Sequence, residues 1–241
     1  MQLVKNVEDL QVKIFADGAD KESMLKLYNQ HYIKGLTTNP SLMRKAGITD
    51  YRSFCQEVLT QIKDKPISFE VFSDDFNEME RQALEIASWG NNVYVKIPVT
   101  NTKQVPAYQL VKKLAANKVK LNITAIMTLT QVKEVAACLD KETPSYVSVF
   151  AGRIADTGRD PVPLMAEAVK ILQVSPKAEL IWASPRELLN IFQADSIGCH
   201  VITVTSDILK KLSMVNYDLG AYSLDTVRMF YDDAMTVGYK L

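Results

Sequence analysis

Eight short runs rich in β-branched and aromatic residues recur along the chain with helical patterns between them, at 12–17, 34–39, 67–72, 93–99, 119–126, 146–151, 179–184 and 200–205. The intervening segments carry apolar residues at helical spacing, as in Phe54, Val58 and Ile62, or Val132, Val135, Ala136 and Leu139. Strict alternation of strand and helix implies crossover connections and therefore a parallel sheet. Eight repeats in about 200 residues favour an α/β fold closed into a (β/α)8 barrel over the alternative, an open doubly wound sheet. Helix starts are marked by Asp75 with Glu78, Thr128 with Gln131 and Ser184 with Glu187 as capping boxes, and by Pro40, Pro161 and Pro185 at first-turn positions. After the eighth strand and a helix near 206–213, an amphipathic segment at 223–239 carries Leu224, Val227, Phe230, Tyr231, Ala234 and Met235 on one face. A barrel does not need that segment. It is expected either to cross its own barrel or, the favoured reading, to pack on a neighbouring subunit.

With 241 residues, 47% of them hydrophobic, the chain suits one domain spanning 1–241. The formal net charge is zero and no run of like charges appears, so neither nucleic acid nor an anionic membrane is expected as a partner. The start lacks an apolar signal core and no apolar run approaches the roughly 20 residues of a membrane span, so a cytoplasmic protein is expected. Cys55, Cys138 and Cys199 lie far apart with no C-x-x-C, which reads as reduced, buried thiols. His31 and His200 are the only histidines and have no ligand-like neighbours, so no metal is expected. No G-x-G-x-x-G follows a strand and no G-x-x-x-x-G-K-[ST] exists, which leaves nucleotide cofactors without a motif.

The chemistry is concentrated around Lys96. In the fourth run Val93, Val95, Ile97 and Val99 share one parity, so Lys96 points away from an all-aliphatic face. Pro98 cannot donate to a sheet ladder, which places Lys96 near the strand's C-terminal end, where barrels of this kind hold their active sites. The same parity test on the other strands assigns to the barrel interior Phe15 and Asp17, Thr37 and Asn39, Ser68, Glu70 and Phe72, Asn122 and Thr124, Ser148 and Phe150, and Trp182 and Ser184. Ile181 and Ala183 fall with the residues expected to meet the helices. Asn39 before Pro40 and Ser184 before Pro185 also suit simple helix caps. Asp17, Glu70 and Lys96 have no such explanation, and burying them is costly unless they satisfy one another.

A lysine in a low-dielectric barrel close to cationic side chains favours the neutral amine, which can attack a carbonyl to form a Schiff base. The iminium is an electron sink, so a nearby C–C bond can break once a neighbouring group takes the proton of the departing hydroxyl. Asp17 is the candidate for that proton, and Glu70 with Thr124 for the water that leaves and returns. Arg153 and Arg186 lie just past strand ends, and Ser184-Pro185-Arg186 is expected to open a helix whose amides favour an anion such as a sugar phosphate.

These residues resemble the transaldolase family of class I, Schiff-base aldolases. The resemblance covers nearly the whole chain and rests mainly on Thr37-Thr38-Asn39-Pro40-Ser41 and Lys96-Ile97-Pro98-Val99-Thr100, with weaker blocks around Asp17, Glu70, Asn122, Phe150-Ala151-Gly152-Arg153 and Ala183-Ser184-Pro185-Arg186. It implies that Lys96 forms the Schiff base, Asp17 is the acid/base, and Glu70 and Thr124 handle the catalytic water, with no cofactor. Thr37 and Phe150 would line the substrate site; Asn39, Asn122 and Ser148 would contact a dihydroxyacetone unit; Arg153, Ser184 and Arg186 would hold the phosphate. The length is nearer the short branch, which includes fructose-6-phosphate aldolases and assembles into rings, pentamers or decamers, by exchange of a C-terminal helix; segment 223–239 fits that role. Glu70 in place of glutamine and Phe150 in place of tyrosine point instead to transaldolases. Two departures, Gly18 after Asp17 and the loop 101–104, are expected to border the pocket, and they alone favour a non-catalytic sugar-phosphate-binding barrel.

Overall fold

The computed structural model describes residues 5–240. Strands β1 (Lys13–Asp17), β2 (Ile33–Thr37), β3 (Ile67–Glu70), β4 (Val93–Pro98), β5 (Leu121–Ile126), β6 (Ser145–Val149), β7 (Ala178–Trp182) and β8 (Val201–Thr205) pair in sequence order, all parallel, and β8 closes on β1. The closed (β/α)8 barrel, and not the open sheet, is therefore the architecture. Helices α1 (Lys21–Tyr28), α2 (Pro40–Lys45), α3 (Tyr51–Gln61), α4 (Phe76–Ala87), α5 (Tyr108–Ala116), α6 (Leu129–Cys138), α7 (Ala151–Ala155), α8 (Val162–Leu172) and α9 (Leu189–Ser196) fill the crossovers, while α10 (Ser206–Leu209) and α11 (Leu219–Val237) follow the last strand.

Local chemistry explains where the helices start. Asp20, Asp50 and Asp75 each accept a backbone N–H from three residues on, and Thr128 and Gln131 form a reciprocal capping box. Asn39 caps α2, with Pro40 at its first position. Pro161 is the cap of α8 and not a first-turn residue. The expected cap of Ser184 with Glu187 does not form. Ser184 adopts a left-handed backbone at φ 56°, α9 begins only at Leu189, and the amides of Arg186 and Glu187 are taken by Asn190 Oδ1 at 2.7 and 3.2 Å. Pro185 and Arg186 thus belong to a turn, so no helix amides are free there to bind an anion. Gly152 packs against that turn, and a Cβ on it would stand 1.5 Å from the Ser184 carbonyl oxygen.

Two apolar cores result from strand alternation. Outward residues such as Ile14, Leu36, Phe69, Val95, Ile123 and Val149 meet the helices. Inward, Phe15, Tyr94, Tyr146, Ile181, Ala183 and Val201 form a separate plug inside the barrel, with the Tyr94 and Tyr146 rings 4.4 Å apart and Phe15 edge-on to Tyr146 at 5.5 Å. Gly35 makes room for this plug, since a Cβ there would lie 2.5 Å from the Phe15 ring.

The plug corrects the inward set in two places. Ser148 pairs with Ile181 and Val149 with Trp182, so Ile181 and Ala183 face inward and Trp182 is fully buried in the outer core. The parity of Trp182 with Ser184 misleads here because Ser184 reaches the cavity after the strand has ended. Phe72 is also not inside: β3 ends at Glu70, the amides of Phe72 and Ser73 bond Gln82 Oε1 at 3.0 and 3.3 Å, and the Phe72 ring meets Tyr51 edge to face with 62% exposure. Alternation stops where ladder pairing stops.

Cys55 and Cys199 are buried, Cys138 is half-buried, and all three are free thiols. Helix α11 begins four residues earlier than expected, at Leu219, ends at a left-handed Gly238, and contains no buried residue. Leu224, Val227, Phe230, Tyr231 and Met235 all stand exposed. Among the described residues no helix is long and apolar enough to cross a membrane, and no group of three His, Cys, Asp or Glu side chains is placed to hold a metal ion.

Candidate active site

A cavity of about 420 Å³ opens at the C-terminal ends of the strands. Ten of the twelve residues expected from the sequence line it: Asp17 from β1, Thr37 from β2, Asn39 at the cap of α2, Glu70 from β3, Lys96 from β4 and Thr124 from β5, then Ser148 from β6, Phe150 and Arg153 around the start of α7, and Ser184 after β7. Asn122 and Arg186 are not in the lining, and Ala125, Ala183 and Thr203 join it. Ala125 and Ser184 both carry positive φ, 61° and 56°, so two of the strand ends around the cavity depart from regular backbone. For Ser184 the left-handed turn, and not strand parity, brings it to the cavity.

Lys96 is 6% exposed. Its Nζ donates to the Thr38 carbonyl at 3.2 Å and lies 3.5 Å from Glu70 Oε2. Glu70 sits opposite Lys96 in the β3–β4 register, which is what brings the two side chains together. The close charges are thus acidic and not, as the sequence suggested, cationic; Arg153 is the other cation in the lining. A buried pair of this kind contributes little net stability, because desolvation offsets attraction.

Both carboxyl groups hold protons more tightly than usual. Burial pushes Asp17 up, opposed by the Lys96 charge and by the Thr37 hydroxyl, which donates to Asp17 Oδ1 at 2.7 Å. Burial pushes Glu70 up as well, again opposed by Lys96, while Asp17 adds to the rise. A carboxyl raised in this way exchanges protons nearer neutrality than a surface one does. The site therefore combines a candidate nucleophile, the Lys96 amine, with two candidate proton carriers.

Hydroxyls and amides surround them. Ser148 Oγ donates to Asn122 Oδ1 at 2.7 Å, and Asn122 Nδ2 donates to Ser68 Oγ at 3.0 Å, so fully buried Asn122 ties β3, β5 and β6 together behind the lining. Asn39 Oδ1 accepts from Leu42 N at 3.0 Å, so the plain helix-cap role is realised while the residue also borders the cavity. Thr124 Oγ1 and Thr38 Oγ1 are buried with no protein partner. A buried hydroxyl left in that state is costly unless a ligand or water completes it.

The two arginines part company. Arg153 lines the cavity with its guanidinium over the Phe150 ring, 5.7 Å from the centroid. Arg186 stands outside the lining, in a two-point ion pair with Asp156, with Nε at 2.9 Å from Oδ1 and Nη2 bonded to Oδ2. That guanidinium holds the Asp156 carboxyl below its usual value. Neither Gly18 nor the loop 101–104 borders the cavity. Gly18 lines an adjoining cleft, and the loop is tied by Thr102 to Asp74 through two bonds of 2.7 Å.

Two contributors were not picked out in the sequence. Thr203 of β8 faces the cavity and hydrogen-bonds Thr37; extending the parity test to the eighth strand would have found it. Tyr51 of α3 accepts from the Glu70 amide at 2.8 Å and donates to the Glu70 carbonyl at 2.7 Å. Because β2 pairs with β3 only as far as Thr37 and Ser68, the phenol replaces the missing ladder partner at Glu70. No local pattern announces such a long-range contact.

Comparison with known proteins gives the family. The sequence profile of the family described as transaldolase/fructose-6-phosphate aldolase matches residues 14–239. A probable transaldolase of Clostridium kluyveri is 34% identical over 202 residues, covering 83% of this chain and 89% of the relative. A probable transaldolase of Thermoanaerobacter sp. (strain X514) is 33% identical over 231 residues, 95% of this chain and all of the relative, and one of Methanococcus maripaludis is 32% identical over 202 residues, 83% of this chain and 89% of the relative. A parallel barrel with a lysine and two carboxyls at its C-terminal mouth, matched over nearly its full length, belongs to the transaldolase/fructose-6-phosphate aldolase family of enzymes.

Proposed function

We propose that the chain is a transaldolase that moves a dihydroxyacetone unit from a ketose phosphate, sedoheptulose 7-phosphate or fructose 6-phosphate, to an aldose phosphate, as in the non-oxidative pentose phosphate pathway. The observation that carries this reading is the buried Lys96 amine between Thr38 O and Glu70, with Asp17 near enough to feel its charge. In this mechanism the amine attacks the ketose C2 carbonyl, and Glu70 with the Thr124 hydroxyl guides the departing water. Asp17 then takes the C4 hydroxyl proton as the C3–C4 bond breaks and the electron pair moves into the iminium. The shortened aldose phosphate leaves, the resulting enamine attacks the acceptor aldehyde, Asp17 returns its proton to the new C4 oxygen, and water releases the new ketose. Arg153 holds the phosphate, and Asn39 and Ser148 the three-carbon unit. Asn122 acts through Ser148, Thr37 orients Asp17, and Arg186 serves from outside the lining with Ser184.

The family's double description supports one rival, cleavage to free dihydroxyacetone. Phe150 favours transfer, since it offers no hydroxyl to activate water against the enamine. Borohydride added with fructose 6-phosphate should leave a reduced three-carbon adduct on Lys96 by mass spectrometry; no adduct would sink the enzyme reading. Abundant dihydroxyacetone released without an acceptor would convert the assignment to aldolase.

For α11 we propose packing on a second copy of the chain, supported by Leu224, Val227, Phe230 and Met235 standing exposed along one helix. Sedimentation of the full chain beside one ending at residue 218 tests it, and an equal number of subunits in both would count against it.

A further inference from the structure

One hydroxyl of the cavity has no part in the mechanism above. Thr203 of β8 lies opposite Phe15 in the β1–β8 register, so it faces inward from the strand next to Asp17. It is 6% exposed, Thr37 is 2% exposed, and the two hydroxyls are bonded to each other. Thr37 Oγ1 lies 2.7 Å from Asp17 Oδ1. Two valines would fill the same space with no polar group to satisfy.

We propose that Thr203 is a positioning residue for Asp17, acting through Thr37 as a two-hydroxyl chain that keeps the carboxyl bonded in both of its protonation states. Proton counting fixes the directions. An ionised carboxylate only accepts, so Thr37 spends its one proton on Asp17 and must accept from Thr203. When Asp17 has taken the substrate's proton, it can donate that proton to Thr37 Oγ1. Thr37 then donates to Thr203, whose own proton turns into the cavity toward the ligand. The chain reverses without any heavy atom moving, so the acid and base halves of the reaction use one carboxyl geometry. Hydroxyl chains of this kind also polarise one another, so Thr203 strengthens what Thr37 gives the carboxylate.

The inference rests on the proposed role of Asp17, and the test keeps the two apart. Thr203→Val is nearly isosteric. It should lower kcat roughly tenfold, the scale of one lost hydrogen bond in the transition state, with KM for fructose 6-phosphate little changed. It should also move the acid limb of the kcat/KM profile to higher pH, because a weaker Thr37 bond leaves the carboxylate less stabilised. Lys96 and Glu70 beside Asp17, Arg153 in the same lining, and Asp20, Lys45 and Asp207 in the adjoining cleft are left in place. Thr203→Ser, which keeps the hydroxyl, should recover most of the loss and restore the limb. In a Thr37→Val background, Thr203→Val should add little further. Should Thr203→Val melt too low to assay, Thr203→Ala against Thr203→Ser gives the same comparison. An unmoved acid limb with unchanged kcat, a serine variant no better than valine, or full additivity with Thr37→Val would overturn the inference. A wild-type enzyme that traps no adduct on Lys96 with borohydride would sink the Asp17 reading along with it. One that traps it while the Thr203 variants keep their profile would sink only this inference.

Discussion

The two ends of the barrel interior differ by only two residues along each strand. At the N-terminal end stand Phe15, Tyr94, Tyr146 and Val201; one inward position further on the same strands stand Asp17, Lys96, Ser148 and Thr203. The first layer is packed aromatic and aliphatic surface, the second carboxyl, amine and hydroxyl. A packed apolar floor under a polar layer closes one side of the site to water, so the charges above it interact with each other, with the Thr37 hydroxyl and the Thr38 carbonyl beside them, and with the cavity. The difference assigns stability to one end and chemistry to the other.

Exchanging one residue at each end separates those contributions most sharply. Lys96→Ala should lower turnover by at least about 10³-fold while the melting temperature stays near that of the parent, read by kinetics and calorimetry. Tyr146→Ala in the plug should do the reverse in kind, costing about 3–5 kcal/mol of stability by denaturant unfolding, because it leaves a cavity among Phe15 and Tyr94. If the tyrosine variant were as stable as the parent, the plug would not be the structural end.

A second comparison sits within the polar end. Arg153 stands in the lining and Arg186 is committed to Asp156 outside it. Arg153→Ala should raise KM for fructose 6-phosphate by roughly tenfold or more, whereas Arg186→Ala should raise it by less, since its guanidinium must first leave a carboxylate. Equal effects would put both arginines on the phosphate.

The smallest effect concerns the cost of the buried acid. Asp17 binds its proton more tightly folded than unfolded, where the carboxyl keeps a value near 3.8. As pH rises above that value the unfolded chain gives up its proton first, so folding stability falls until the folded carboxyl ionises as well. Asp17→Asn escapes that loss. It should melt above the parent at neutral pH, and the gap should close as pH falls toward 3.8. A gap that widened on acidification would mean that attraction to Lys96, and not burial, dominates at Asp17.

Much of this was legible in the sequence because it depends on local rules. Alternation in Val93, Val95, Ile97 and Val99 placed Lys96 inward, and Asn39-Pro40 and Thr128 with Gln131 marked helix starts that form as written. The same rules failed where local order ends. Parity shared with Ser184 points Trp182 inward, but the register with β6 turns it outward, and Phe72 falls outside because alternation does not continue past the last ladder bond. Ser184 reaches the cavity by a left-handed turn and not as a helix cap, and Arg186, placed by its sequence position on the ligand, is held by Asp156 instead.

The sequence by itself determined the eightfold alternation, the closure it favours and the identity of the inward charges, since these follow from periodicity and from the cost of burying polar groups. Only the tertiary structure decided that Thr203 meets Thr37, that Tyr51 completes the backbone at Glu70 and that Arg186 is held by Asp156. The physical reason is range: periodicity is set by neighbours a few residues apart, whereas these partners lie 166, 19 and 30 residues apart and meet only once the barrel has closed.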